Sequence, residues 1–304
     1  MKSLAPIVLF CYNRPWHVEE TLIALSKNEL ADQSFLYIYC DGPKENATEE
    51  QLDNIKRTRE VVRKEKWCKE VHIIESAKNK GLADSIIGGV TEIVNRYGRV
   101  IVIEDDMITS PFFLKYMNNA LDLYENDEMV MHITGYMFPI NKKLPDTFFY
   151  QVPHCWSWAT WKRSWKNFSN DIDELYDYWR KDWKTFNKWG WTDLQEQLES
   201  NYRGTLYTWF IKWHAVVLRM NGLTLYPGIS LVQNIGFDGS GENCSNVDKY
   251  DIELQHKEIS LYKIPIKENK RIASYIKIWN SGHWYSKRYR TKWIKILKSY
   301  FNLK

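Results

Sequence analysis

No apolar run in this 304-residue chain approaches the roughly 18 residues that a membrane-spanning helix requires. Nothing in the sequence therefore suggests a transmembrane helix. The opening MKSLAPIVLFCYNRP has one lysine and a short apolar stretch, like a secretory leader. Asn13-Arg14-Pro15 stands where a small-residue cleavage site is needed, so the stretch reads as a first buried strand. Cysteine is scarce and poorly spaced: five residues, at 11, 40, 68, 155 and 244, with no C-x-x-C pair. An odd, scattered set argues against a disulfide framework or a zinc site and for a reducing cytosol. In that compartment the sequons at Asn46, Asn167 and Asn243 carry no glycans. Acid is missing from the last 35 residues, where ten Lys or Arg stand alone. The formal charge of +4 for the whole chain therefore hides a value ten lower, −6, for residues 1–269.

What is present is an ordinary globular composition, 44% hydrophobic and 26% charged, with ample material for a core. Short apolar runs at 6–11, 35–40, 71–74 and 99–103 predict buried strands. Helical stretches lie between them. One starts at Pro15, whose fixed φ suits a first turn. A second follows Thr48, with Gln51 three residues on as a capping box. A third runs from Leu82 to Tyr97 and stops at Gly98. Ser110-Pro111 predicts the cap and first position of a fourth, reaching Asn126. MVMHIT then makes a fifth strand. Strands alternating with helices imply parallel pairing through right-handed crossovers, hence an α/β open mixed sheet, mostly parallel and Rossmann-like, with helices on both faces. Such sheets bind ligands beyond the carboxyl ends of their strands.

Three polar clusters follow directly on predicted strands: Asn13-Arg14, Asp41-Gly42, and Glu104-Asp105-Asp106 within VIVIEDDMITSPFF. They should converge. Three adjacent carboxylates repel one another unless a positive charge sits among them. Hard divalent cations take oxygen ligands, and Mg²⁺ or Mn²⁺ often bridges one or two carboxylates to a phosphate. The plain alternative is an exposed acidic turn opening a helix, with Asp106 on the surface. From Trp156 to Trp213 the chain holds ten of its fifteen tryptophans, which suits core filling or the wall of a sugar site equally. NIGFDGSGENC holds three glycines in six residues, backbone free enough to close over a phosphate or to form a surface turn.

Taken together, PIVLFCYNRP, YCDGP, NKGLADSIIGGV, VIVIEDD with SPFF, CWSWATWKRSW and LYPGISLVQNIGFDGSG resemble, in order, the bacterial GT-A fold glycosyltransferases. These are related to the family 2 enzymes and to N-acetylglucosaminyltransferase I. The resemblance spans residues 5–245. It implies one glycosyltransferase domain over 1–245, with a nucleotide-binding half (1–135) and a Trp-rich acceptor half (136–245), followed by a C-terminal extension (246–304). It also implies a metal-assisted, inverting transfer from a UDP-sugar to a hydroxyl of a glycan or lipid-linked acceptor, in surface polysaccharide or lipopolysaccharide synthesis.

By the same resemblance, Asp106 ligates Mn²⁺ or Mg²⁺ carrying the diphosphate, Asp105 holds the ribose or supports the metal shell, and Glu104 completes the acidic motif beside the donor. Asp41 accepts from the uracil ring, Tyr12 and Arg14 line the base and diphosphate, and Asn79 and Gly81 sit near the nucleotide. Gly239 and Ser240 belong to a substrate-covering loop. Each of these residues also has a structural reading, Asp41-Gly42-Pro43 being a plausible turn. The pattern breaks at LYTW: relatives carry an acid where this chain has Tyr207, and an unperturbed phenol is a poor base at neutral pH. Asp193 and Asp238 are the substitute bases, and Asn243 stands where relatives often have His. Two rivals remain. A sugar nucleotidyltransferase would carry a Gly-rich loop after the first strand, and CYNRPWH has none. A non-catalytic glycan- or nucleotide-sugar-binding protein on the same fold would explain Tyr207.

The last 35 residues interleave their ten cations with eight aromatics. Tyr289, Trp293, Ile296 and Tyr300 recur at helical spacing. A basic helix with an aromatic face suits an anionic membrane surface, which would put a cytoplasmic protein on the inner face of the plasma membrane. A helix packed on the domain is the other reading. No recognised nucleic-acid module accompanies the charge.

Overall fold

The computed structural model describes residues 3–239, 250 and 252–281. Strands β1 (Ile7–Cys11), β2 (Phe35–Cys40), β3 (Glu70–Glu75) and β4 (Arg99–Glu104) alternate with helices α1 (Pro15–Ser26), α2 (Glu49–Val61) and α3 (Leu82–Tyr97). The local signals explain these boundaries. Pro15 opens α1. Thr48 Oγ1 accepts from the Gln51 amide while the Gln51 side chain accepts from the Thr48 amide, completing the capping box. Gly98, at φ +80°, ends α3 in the left-handed conformation that glycine adopts without strain.

The four strands lie parallel in the order β3-β2-β1-β4. Winding outward from β1 to β3 and then crossing back to β4 places α1 and α2 on one face and α3 on the other, given right-handed crossovers. Packing agrees: α1 meets α2, whereas α3 meets β1 and β4. The reversal leaves a crevice beyond the carboxyl ends of β1 and β4.

After β4 the structure departs from expectation. A three-residue strand, β5 (Met107–Thr109), follows the acids at once. The fourth helix, α4 (Phe113–Leu123), begins two residues later than Ser110-Pro111 predicts and ends at Leu123, short of Asn126. The cause is long-range: the Ser110 amide donates to Leu231 O, and its hydroxyl caps nothing. The same sheet continues through β6 (Val130–Thr134), β7 (Thr147–Tyr150), β8 (Trp158–Trp161) and β9 (Leu223–Pro227), in the full order β3-β2-β1-β4-β8-β6-β9-β7. β8 runs antiparallel to both β4 and β6, and β7 antiparallel to β9. A short β10 (Val232–Asn234) pairs antiparallel with β5 outside the main sheet.

Helices α5 (Lys162–Trp165), α6 (Ile172–Trp179), α7 (Trp183–Phe186), α8 (Thr192–Tyr202) and α9 (Phe210–Arg219) cover the later strands. Seven of the ten clustered tryptophans are buried there, Trp158, Trp161, Trp165, Trp179, Trp191, Trp209 and Trp213. Core filling therefore accounts for most of that cluster. The last described helix, α10 (Lys270–Asn280), buries Ile272, Ala273, Ile276 and Trp279. The Trp279 ring packs at a tilt with its centre 4.9 Å from that of Phe138, and Asn269 N donates to Phe149 O. The apolar face of this part of the basic tail is thus occupied by the protein itself. Residues 282–304, with the aromatic spacing at 289–300, lie outside the described residues. No helix among the described residues is long and apolar enough to cross a membrane.

Candidate functional site

At the end of β1 the chain turns through Tyr12, Asn13 and Arg14 into α1; at the end of β4 it turns through Asp105 and Asp106 into β5. The crevice brings these turns together. Arg14 Nη2 donates to Asp106 Oδ2 at 2.9 Å and to Asp105 Oδ1, and its Nε lies 3.4 Å from Asp105 Oδ2. The positive charge among the acids is this guanidinium. Burial alone would make Arg14 easier to deprotonate, but Asp105 and Asp106 more than offset it and hold the cation firmly protonated. Thr21, two turns further along α1, donates to Asp105 O at 2.8 Å and accepts from the Met107 amide. Asp105 and Asp106 are each only 5% exposed, which corrects the expectation of Asp106 on the surface.

Glu104 behaves differently. It pairs in register with Phe10, whose ring packs against Gly89 of α3. The pleat therefore sends Glu104 to the α3 face and Asp105 to the α1 face. Burial, reinforced by Asp106 and Asp105, pushes the Glu104 carboxyl up to about 8. It is thus mostly protonated at neutral pH, which removes one of the three repelling charges. Burial also raises Asp105, with Asp106 adding to the effect and Arg14 opposing it.

Three buried polar atoms in the crevice have no partner among the described residues: Tyr12 OH, Arg14 Nη1 and Asp106 Oδ1. Above them passes the chain leaving β10. The Ile235 amide donates to Asp106 O at 2.9 Å, and a Cβ on Gly236 would fall 2.2 Å from Asp106 Oδ2 and 3.1 Å from Arg14 Nη1. Only glycine passes that close. Two residues on, Asp238 Oδ2 stands 3.1 Å from Nε2 of His17 on α1. Gly239 follows at φ +86°. Ser240 and Asn243 lie outside the described residues.

Asp41 ends β2 with all of its acceptor capacity in use. Oδ1 takes the Gly42 and Lys80 amides at 2.8 and 2.9 Å; Oδ2 takes the Gly81 amide and Asn79 Nδ2, each at 3.0 Å. Its visible work is to fold residues 79–81 onto the strand end, with Gly81 at φ +79° capping α3. Asp193 sits exposed in the first turn of α8, a helix that packs mainly on α6 and α9. The crevice therefore unites Tyr12, Arg14, Glu104, Asp105 and Asp106, with Asp238 at its edge and Asp41, Asn79 and Gly81 as the adjoining loop.

Sequence reasoning missed Thr21, His17 and Gly236. The glycine had a signal, its place in the Gly-rich late segment. The other two look like unremarkable helix residues until α1 is docked. It also missed a thiol pair: Cys11 Sγ lies 3.5 Å from Cys40 Sγ on adjacent strands, each next to a site residue.

Among the described residues no three His, Cys, Asp or Glu side chains form a metal cage. A cation here would take Asp106 Oδ1 from the protein and complete its shell from phosphate and water, as Mg²⁺ and Mn²⁺ sites commonly do.

No family profile and no curated protein matches the chain. Among solved structures it is similar to the mannosyltransferase PcManGT from Pyrobaculum calidifontis, in complex with GDP-Man and Mn²⁺, at 13% identity and a TM-score of 0.36. That match covers 58% of this chain and 48% of the other. It is also similar to S. aureus TarS at 13% identity and a TM-score of 0.31, over 47% of this chain and 23% of that one. The chain thus spans about half the length of the first and a quarter of the second. Similarity this low carries no argument about what the chain does.

Proposed function

We propose that this chain is a GT-A glycosyltransferase that moves a sugar from a nucleotide diphosphate, a UDP-sugar, to a hydroxyl of a glycan or lipid-linked acceptor. The observation that carries this is the pairing of two unsatisfied buried atoms of opposite character, the donor Arg14 Nη1 and the acceptor Asp106 Oδ1, under the Gly236 backbone. A diphosphate with its divalent cation answers both. Arg14 offers an N–H to a phosphate oxygen, and Asp106 offers a lone pair to the metal.

Mn²⁺ or Mg²⁺, when bound, supplies charge for the departing diphosphate. The chain's own residues do the rest. Arg14 shares the leaving-group charge and is already fixed by Asp105, so little reorganisation accompanies the reaction. Burial pushes the Glu104 carboxyl up, which lessens its repulsion of an incoming polyanion. The Ile235–Gly239 strap, tied by the Ile235 amide to Asp106 O, passes over one side of the crevice. The transfer is inverting in this reading and serves surface polysaccharide or lipopolysaccharide synthesis on the cytoplasmic side.

The test is calorimetric titration of the full chain with UDP, with and without Mn²⁺, for the wild type and Asp106→Asn. The wild type binds UDP more tightly with Mn²⁺. In Asp106→Asn that gain falls at least tenfold, while the weaker metal-free binding through Arg14 persists. An unchanged Mn²⁺ gain in the variant overturns the assignment. Binding without any turnover of UDP-sugars, across a panel of acceptors, would favour the non-catalytic reading instead.

A further inference from the structure

A second cluster stands at the same edge of the sheet, on the α3 side of the crevice. It joins Asp84 in the first turn of α3, Asn170 ahead of α6, Tyr207 ahead of α9 and Lys212 within α9. Tyr207 OH donates to Asp84 Oδ1 at 2.7 Å, and Asn170 Nδ2 lies 3.4 Å from the same hydroxyl. Lys212 Nζ donates to Asn170 Oδ1 at 2.6 Å and sits 4.1 Å from the centre of the Tyr207 ring. Two links fix the place of the cluster. α3 starts at the Gly81 amide held by Asp41. Trp209, two residues after Tyr207, stacks 5.1 Å from Trp158, which pairs with Val102 two residues before Glu104.

The cluster is an odd thing to build for stability. Lys212 is 2% exposed, and no carboxylate among the described residues lies within ion-pair distance. Burial lowers its proton affinity, with Asp84 opposing. A desolvated ammonium with one amide partner and an aromatic face is costly to keep, and an apolar side chain of similar length would cost less. What it achieves is orientation: one face of the Tyr207 ring is covered and the phenol is pinned between Asp84 and Asn170. Yet Tyr207 is 52% exposed and contributes little to the core. A rigid ring with one face open, rimmed by a solvent-facing carboxylate and an amide, matches the chemistry of a pyranose. The flat C–H face of the sugar lies on the ring, and its hydroxyls donate to the carboxylate. The carboxylate disfavours a sugar that carries its own negative charge.

We propose that Tyr207 and Asp84, positioned by Lys212 and Asn170, form a binding subsite for a neutral pyranose, the terminal residue of the acceptor. Its assignment as the acceptor's site rests on reading the neighbouring crevice as the sugar-nucleotide site; binding of the pyranose itself does not.

The experiment uses the full chain and saturation-transfer NMR. The probes are the methyl α- and β-glycosides of glucose, galactose, mannose and N-acetylglucosamine, with methyl β-D-glucuronide as the charged control. Each is measured with UDP and Mn²⁺ present and absent. At least one neutral glycoside receives saturation on the protons of one ring face, and the glucuronide receives none. Tyr207→Ala lowers that signal at least tenfold. Tyr207→Phe, which keeps the ring, lowers it less than threefold, and Asp84→Asn lowers it several-fold. UDP affinity is the same in all variants, and their melting temperatures show that they fold. The proposal is overturned if no neutral glycoside is saturated, or if Tyr207→Ala leaves the signal intact. The crevice reading fails separately, if the wild type does not bind UDP at all.

Discussion

Replacing Arg14 with methionine is the sharpest probe of the crevice, because it removes the one cation between two carboxylates that are each 5% exposed. Methionine keeps the length of the side chain and deletes the charge. Breaking a buried ion pair from one side costs about 3–5 kcal/mol, since the remaining charge stays desolvated. The lower end applies, as 18% of the Arg14 side chain is exposed. The pH dependence has a definite sign. Asp105 already sits above its ordinary value through burial, with Arg14 pulling it down; without Arg14 it rises further. A carboxyl whose folded value exceeds its unfolded one stabilises at low pH, and that contribution is lost as pH rises toward the folded value. The penalty of Arg14→Met is therefore larger at mildly alkaline pH than at mildly acidic pH. Urea unfolding, followed by tryptophan fluorescence in both ranges, measures it. Millimolar Mn²⁺ at the higher pH should recover part of the loss in the variant and change the wild type less. A penalty below about 1 kcal/mol, or one that ignores pH, refutes the idea that Arg14 holds the acids together.

His214 is 1% exposed, both ring nitrogens lack a partner among the described residues, and burial pushes its pKa down to about 3. His214→Leu should stabilise by on the order of 1–3 kcal/mol at neutral pH by removing unsatisfied nitrogens. Below the unfolded value near 6.5 only the unfolded chain takes up the proton, so the gap widens by about 1.4 kcal/mol per pH unit; a constant gap in urea midpoints contradicts this. Gly236→Ala forces a Cβ to within 2.2 Å of Asp106 Oδ2 and should cost about 1–3 kcal/mol and at least tenfold in UDP affinity by calorimetry. Gly88→Ala, facing open space inside α3, should instead stabilise by about 0.5–1 kcal/mol and leave UDP binding alone, which controls for the glycine itself.

The parts of the fold legible in the sequence are those governed by neighbours in the chain. The Thr48–Gln51 box, Pro15 and Gly98 act within one helical turn, and the apolar runs of β1, β2 and β4 announce themselves because both faces are covered. β5 and β10 did not, being three residues each and defined only by pairing across more than a hundred residues. Ser110-Pro111 read as a helix start because its competing partner, Leu231 O, is equally distant. In the Trp-rich segment the side chains that fill the core also conceal β8, whose period is lost among aromatics on both sides. The acids, Arg14 and the late glycines were found as candidates from composition and order. The full occupation of Asp41 by Asn79, Lys80, Gly81 and Gly42 was not, since backbone donors leave no trace in residue identity.

An unsatisfied buried polar atom does not by itself mark a site. Thr58, Tyr116, Thr224 and His214 also bury polar atoms without partners, and they are scattered. The crevice differs in that its orphans have opposite roles. A lone acceptor can be silenced by a water, and a lone donor likewise, at little cost in selectivity. Arg14 Nη1 and Asp106 Oδ1 sit on residues already bonded to each other through Nη2 and Oδ2, so neither can turn to serve the other without breaking that pair. Gly236 closes the approach from above with no side chain of its own. A ligand that satisfies both atoms must accept a hydrogen bond from a guanidinium and offer positive charge to a carboxylate within a few ångströms. A free phosphate meets the first demand and a bare cation the second. The metal-bound diphosphate meets both, so this pair of atoms, rather than the number of acids, selects for the proposed nucleotide donor.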